Sequence, residues 1–212
     1  MKIGTGYFYN QDCMGGMKEF PDKYFDLALV DPPYGIGKDG QRLSFCRNSK
    51  HNRKEHLQKN WDDAAPDKKY FDELFRVSKN QIIWGANYYP QYLPPSMGWI
   101  FWDKGQDLNQ SDGELAFSSF NVALRRKMIN RIELLIEGTI HPTQKPIKLY
   151  KWLLTKYANP GDKILDTHVG SASSIIAFID LGFEFIGYEI DKDYYDSAMK
   201  RIENYLLQEK LF

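Results

Sequence analysis

Four consecutive residues, Asp31-Pro32-Pro33-Tyr34, put a carboxylate, two prolines and an aromatic ring within one turn of chain. That set suits a poor nitrogen nucleophile such as the exocyclic amine of adenine or cytosine, whose lone pair is delocalised into the ring. Two acceptors aimed at its N–H groups would localise the lone pair toward an electrophile. Asp31 offers one acceptor and the carbonyl of Pro32 the other. Pro32 and Pro33 fix the turn and bring no competing N–H. Tyr34 offers a flat face on which an extruded base could stack. A Pro-Pro turn with a capping Asp and a core Tyr is the reading that needs no chemistry.

A second set is Asp166-Thr167-His168-Val169-Gly170-Ser171-Ala172-Ser173, with Glu189 about twenty residues further on. Strand, glycine turn, helix start and later acid follow the logic of an adenosine-binding βαβ unit. Backbone amides of the turn approach the ligand, and the acid accepts from ribose hydroxyls. A single glycine argues against a pyrophosphate cradle; a plain helix cap by Ser171 or Ser173 is the simpler alternative. The third set, His141-Pro142-Thr143-Gln144-Lys145-Pro146, precedes a helical pattern. The Thr143 hydroxyl and Lys145 ammonium would suit a carboxylate.

These residues need elements to hold them. Apolar runs at 25–30, 163–165 and 185–188 end at Asp31, Asp166 and Glu189, and a weaker run at 7–10 reaches Asp12. Such runs read as buried parallel strands. Helical patterns over 68–79, 147–157, 171–181 and 194–207 alternate with them, which predicts an α/β fold with a parallel sheet covered on both faces. Ligands bind beyond the carboxyl ends of such strands, so Asp12, Asp31, Asp166 and Glu189 should converge on one crevice.

The 212 residues and 42% apolar content suit one folded domain, 1–212. Twenty-eight basic residues balance twenty-eight acidic ones, so distribution matters more than net charge. The polar stretch at about 36–60 carries Lys38, Arg42, Arg47, Lys50, Arg53, Lys54 and Lys59, and reads as a functional loop. Arg125, Arg126, Lys127 and Arg131 form a second basic cluster. Phosphate contact is the functional reading of both, a solvated surface the bland one. His51 and His56 are too sparse for a metal site, so no metal is expected. Two cysteines, and the absence of a signal-like or membrane-length apolar run, make a reducing cytoplasm the default and a membrane partner unexpected.

Together and in this order, the motifs resemble the permuted β class of DNA amino-methyltransferases, the N6-adenine and N4-cytosine enzymes. The resemblance spans Asp12 to about Tyr205. It implies a Rossmann-like, S-adenosylmethionine-dependent methyltransferase fold with a mostly parallel seven-stranded sheet, one strand antiparallel, in circularly permuted motif order. Asp31 to Tyr34 would hold the target amine. The cofactor set would comprise Asp12, Cys13, Asp31, Thr143, Lys145, Asp166, Thr167, His168, Gly170, Ser171, Ala172, Ser173 and Glu189. Within it, Asp12 and Cys13 would meet the cofactor adenine, Glu189 the ribose and Lys145 the methionine end.

The implied activity is direct transfer of a methyl group to adenine N6 of a base flipped out of double-stranded DNA. Asp in first position favours adenine over N4-cytosine, and no cysteine follows a proline as a cytosine-C5 nucleophile would. The cofactor loop departs from the usual Asp-Pro-Phe-x-Gly-Ser-Gly of the family. Thr167 and His168 replace Pro-Phe, with His168 expected as packing surface. Ala172 replaces a glycine, which makes a positive φ there costly. Target recognition would fall to about 109–140 or to the basic loop. Asp31, where such relatives more often carry Asn, and the permuted motif order count against an RNA or protein-amide substrate; a non-catalytic nucleic-acid-binding homologue, a homodimer, and a separate cognate restriction endonuclease stay open.

Overall fold

The computed structural model describes residues 1–40, 59–105, 111–130 and 132–209. Nine strands and six helices follow one another among these residues: β1 (Lys2–Ile3), β2 (Gly6–Asn10), α1 (Cys13–Met17), β3 (Phe25–Val30), α2 (Lys68–Val77), β4 (Ser78–Trp84), β5 (Ile100–Asp103), β6 (Gly113–Ser118), β7 (Arg125–Met128), α3 (Ile132–Glu137), α4 (Ile147–Tyr157), β8 (Lys163–Asp166), α5 (Ser173–Asp180), β9 (Glu184–Glu189) and α6 (Lys192–Glu209). All nine strands join one sheet in the order β1-β2-β9-β8-β3-β4-β6-β5-β7.

The inner seven, β2 to β5 in that order, are parallel except for β6, which runs antiparallel to both neighbours. This is the expected sheet. The two additional strands are edges: β1 folds back on β2 for two residue pairs, and β7 lies parallel to β5. Segment 109–140, expected to serve target recognition, supplies β6 and β7 to the sheet itself. The physical reason lies in Ala116 and Phe117, which are fully buried and pair with Trp84 and Ile83.

Strand β3 is buried on both faces, as a central parallel strand must be. Leu27 and Leu29 point into a core shared with α4, α5 and α6; Ala28 and Val30 point into a second core under α1 and α2. Helix α2 starts where Asp67 accepts from the backbone N–H groups of Lys69 and Tyr70, and its stripe of Tyr70, Phe71, Leu74 and Val77 is buried. It ends at Val77, two residues before the expected Lys79. Ser78 is extended, and its hydroxyl donates to the Leu74 carbonyl as β4 begins. Helix α4 has its expected bounds.

Registers place the carboxyl ends together. Asn10 pairs with Glu189, Asp166 with Gly187, and Ala28 with Leu165. The acids that follow β2 and β3 therefore leave the sheet on the edge where β8 and β9 end. Among the described residues no helix is long and apolar enough to cross a membrane.

Candidate active site

Asp31 leaves the end of β3 into a turn pinned by a residue without a sequence signature. One Asp62 carboxylate oxygen accepts from the amides of Tyr34 (2.7 Å) and Gly35 (2.8 Å), and the other from Lys38 (2.7 Å). Gly35 has φ of 70°, and a Cβ there would lie 2.7 Å from the Ala65 nitrogen, so only glycine fits. Asp62 is buried and its acceptors are used by the turn, which fixes the direction of Tyr34.

The carboxylate of Asp31 sits in a network of charges. Its Oδ2 meets Lys145 Nζ at 2.5 Å, and its Oδ1 accepts from the Tyr34 hydroxyl at 2.7 Å. Lys145 also reaches Glu114 Oε2 at 3.1 Å, and Lys104 meets Glu114 Oε1 at 2.8 Å. The Lys145 side chain is 1% exposed. Burial pushes the Asp31 carboxyl above the usual range, with Lys145 opposing and Glu114 assisting. Burial acts the same way on Glu114, but Lys145 and Lys104 outweigh it and hold that carboxyl down at about 2. Lys145, expected at the methionine end of a cofactor, stands between Asp31 and Glu114, so two carboxylates share its charge.

The Tyr34 ring, expected to present a face to a base, is stacked on Tyr88 at 5.1 Å and 17°. It also packs on Gly85, where any Cβ would collide with it. Tyr88 is itself 43% exposed.

Beyond β8 and β9 lies a cavity of about 110 Å³ lined by Gln11, Asp12, Cys13, Thr167, His168, Glu189 and Ile190. Six of these come from the second motif or from the ends of β2 and β9. Glu189 accepts from Gly170 N at one oxygen and from Asp191 N at the other, both 2.9 Å. A carboxylate retains further lone pairs after two such bonds, so Glu189 can still receive hydroxyl donors from the cavity. Asp12 caps α1 by accepting from Met14 N. Cys13 is buried and free, its thiol pushed up to about 12 chiefly by burial, so it is a packing surface and not a nucleophile. His168 sits edge-on to Tyr70 and is held down at about 4 by desolvation, hence neutral. The Thr167 hydroxyl bonds Tyr70 OH at 2.6 Å.

Not every residue of the second motif faces that cavity. Asp166 is buried, accepting from His168 N (3.0 Å) and the Ser174 hydroxyl (2.5 Å); burial pushes it up to about 7. Ser171 and Ser173 are buried toward α6, where Arg201 donates to the Ser171 carbonyl and the Ser173 hydroxyl. Helix α5 begins two residues after the expected Ser171, and its cap is Ala172, with no side-chain bond. Ala172 adopts φ of 62° and ψ of 19°, the left-handed conformation that its Cβ opposes. The substitution Ala172→Gly should therefore stabilise the chain by about 0.5–1 kcal/mol, the relieved strain less the added entropy of the unfolded glycine. Thermal denaturation should show a Tm rise of about 2 °C; a fall would mean that the Ala172 methyl contributes more by packing than it costs in strain.

The third motif joins the other two. Its Lys145 touches Asp31, while the His141 ring lies where a Cβ on Gly170 would be 3.6 Å away. Gln144 closes the connecting loop through Gly138 O and Ile140 N, and Thr143 bonds His141 Nδ1 at 3.1 Å. The ring also packs between Trp61 and Tyr194. One six-residue segment thereby ties the acid after β3 to the turn after β8.

Comparison with known proteins gives the family of the chain. The model of the DNA methylase family of N6 and N4 enzymes matches residues 83–200, more than half of the chain. The chain belongs to that family. It is 24% identical to the DNA adenine methyltransferase YhdJ of Escherichia coli (strain K12), over 91% of this chain and 81% of that one. It is likewise 24% identical to the Type II methyltransferase M.HpaI of Haemophilus parainfluenzae, over 91% and 73%. Among solved structures, the M1.HpyAVI–SAM complex superposes with a TM-score of 0.62 at 19% identity, covering 93% of this chain and 98% of that one. The cytosine-N4-specific PvuII DNA methyltransferase gives 0.61 at 13% identity, covering 93% and 86%. The family match takes in the third and second motifs, while Asp31 lies outside the matched span.

Of the basic residues singled out for DNA, Arg42, Arg47, Lys50, Arg53, Lys54 and Arg131 lie outside the described residues. Lys38 is exposed beside the active-site turn. Arg125 and Arg126 are exposed on the edge strand β7, with Arg126 paired to Asp103. Sequence reasoning missed Asp62, Glu114, Lys104, Trp61 and Arg201. Each is a single residue brought in from another element, and no local spacing marks it. Among the described residues no group of three His, Cys, Asp or Glu side chains is placed to hold a metal.

Proposed function

We propose that this member of the family transfers a methyl group from S-adenosylmethionine to the N6 amine of adenine in double-stranded DNA, acting as a single domain over 1–212. One observation carries the reading: Asp31 and the Glu189 cavity open on the same edge of the sheet and are joined by the His141–Pro146 segment. When bound, the cofactor supplies a methyl already activated on sulfonium, so the protein need only bind, orient and accept a proton.

Glu189 accepts the ribose hydroxyls. Asp12, Cys13, Thr167 and His168 form the adenosine walls, and the neutral His168 ring suits a flat, uncharged partner. Asp31 Oδ1 and the Pro32 carbonyl accept the two N–H groups of the target amine, while Lys145 on Oδ2 keeps the carboxylate ionised. Transfer leaves the nitrogen cationic, and a proton must leave it; a carboxylate whose pKa burial has raised is suited to receive it. Tyr88 yields the Tyr34 face to the extruded base. Adenine is favoured over cytosine N4 by the Asp in first position, and the adenine specificity of YhdJ agrees with that choice.

Two titrations test the binding half of this reading. Calorimetry should show one S-adenosylmethionine site, weakened at least about tenfold by Glu189→Ala through the lost hydroxyl acceptors. Reversing the loop charges in Arg47→Glu/Lys50→Glu/Arg53→Glu should weaken DNA binding by about 10²-fold or more and flatten its salt dependence, with cofactor binding unchanged. A chain that binds DNA but no cofactor would overturn the enzymatic reading. Unchanged DNA affinity in the triple variant would remove the loop from the interface.

A further inference from the structure

Glu114 is the second residue of β6, the antiparallel strand, and lies opposite Trp102. It belongs to none of the three motifs, yet its carboxylate lies on the same lysine and the same tyrosine as Asp31. Oε2 accepts from Lys145 Nζ at 3.1 Å and from the Tyr34 hydroxyl at 3.3 Å, and Oε1 meets Lys104 Nζ at 2.8 Å. The four charges alternate: Asp31 negative, Lys145 positive, Glu114 negative, Lys104 positive. Lys145 alone would neutralise Asp31. A second carboxylate with its own cation in this mostly enclosed site adds desolvation cost and nothing to that neutralisation, which points to a different role for its oxygens.

The Tyr34 hydroxyl supplies one. It donates to Asp31 Oδ1 at 2.7 Å, with Glu114 Oε2 as the longer alternative at 3.3 Å. A hydroxyl has one proton, and Oδ1 is the oxygen that an incoming amine needs.

We propose that Glu114 is a positioning residue for methyl transfer, which receives the Tyr34 hydroxyl when a target amine takes Asp31 Oδ1 and keeps Lys145 on Asp31 Oδ2 throughout. This rests on the proposed amine chemistry at Asp31. Glu114 touches neither base nor cofactor; it acts through Tyr34 and Lys145. Its two ammonium partners keep it ionised, so it remains an acceptor across the working pH range.

The test compares wild type, Glu114→Leu, which removes the acceptor, and the charge-balanced double variant Lys104→Met/Glu114→Leu. For each, kcat, KM for DNA, S-adenosylmethionine affinity and Tm are measured on a DNA that the wild type methylates. Glu114→Leu should lower kcat about 30-fold or more with cofactor affinity within about threefold, the signature of an interaction made in the transition state. The double variant should recover Tm, because no cation is left unpaired, yet keep the low kcat. If Glu114→Leu does not fold, the double variant alone decides.

Wild-type kcat in Glu114→Leu would leave Glu114 without a part in transfer, and kcat recovered together with Tm in the double variant would reduce it to charge balance; either result overturns the proposal. A wild-type chain that binds the cofactor but methylates no DNA would instead overturn the underlying reading, and the role of Glu114 with it.

Discussion

Asp31→Ala is expected to lower methyl transfer to DNA by about 10³-fold or more while shifting S-adenosylmethionine affinity by less than about threefold. The size follows from what the carboxylate does. It is the one anionic acceptor at the end of β3, and without it the amine lone pair stays in the ring. The selectivity follows from geometry, since Asp31 does not line the Glu189 cavity. The fold should survive because Lys145 keeps a carboxylate partner in Glu114. Comparison of kcat with a cofactor titration checks both halves; full activity in Asp31→Ala would exclude the mechanism.

Lys145→Met is expected to be nearly as damaging, by another route. It leaves Asp31 and Glu114 facing each other in a buried site without the cation between them. Breaking a buried pair in this way costs about 3–5 kcal/mol, which denaturant unfolding would register. Activity carries a pH signature as well. Asp31 must be ionised to work, so activity falls as pH drops through its pKa, which burial already holds above the ordinary carboxylate value. Lys145 opposes that rise; its removal should move the acid limb of the kcat profile to higher pH and lower kcat at neutral pH by about 10²-fold. An acid limb that stays in place would mean that Lys145 does not govern Asp31.

The parts legible in the sequence were those written locally. Strand β3 and its Asp-Pro-Pro-Tyr turn, the bounds of α4, and the strand–turn–helix around Gly170 follow from short-range patterns. The cost foreseen at Ala172 is met, because the turn requires a left-handed residue whatever its side chain. What could not be read depends on distant partners. Nothing near Glu114 in the chain says that it will meet Lys145, and nothing near Asp62 says that it will collect the amides of Tyr34, Gly35 and Lys38. Lys145 itself was visible as a cation near a helix start. Its contacts with Asp31 and Glu114 depend on β3, β6 and the start of α4 converging. Segment 109–140 reads as a small target-recognition region, and nothing local in it says that Ala116 and Phe117 will pair with Trp84 and Ile83 and bring β6 into the sheet.

The product that leaves the site identifies both the reaction and the base. Purified chain should be incubated with labelled S-adenosylmethionine and unmethylated double-stranded DNA, and the product nucleosides separated by mass. Label in N6-methyladenine, absent when Asp31→Ala replaces the wild type, is the result predicted here. Label in N4-methylcytosine would keep the amine mechanism and refute the choice of base. No methylated nucleoside on any DNA, from a chain that binds the cofactor, would contradict the central claim.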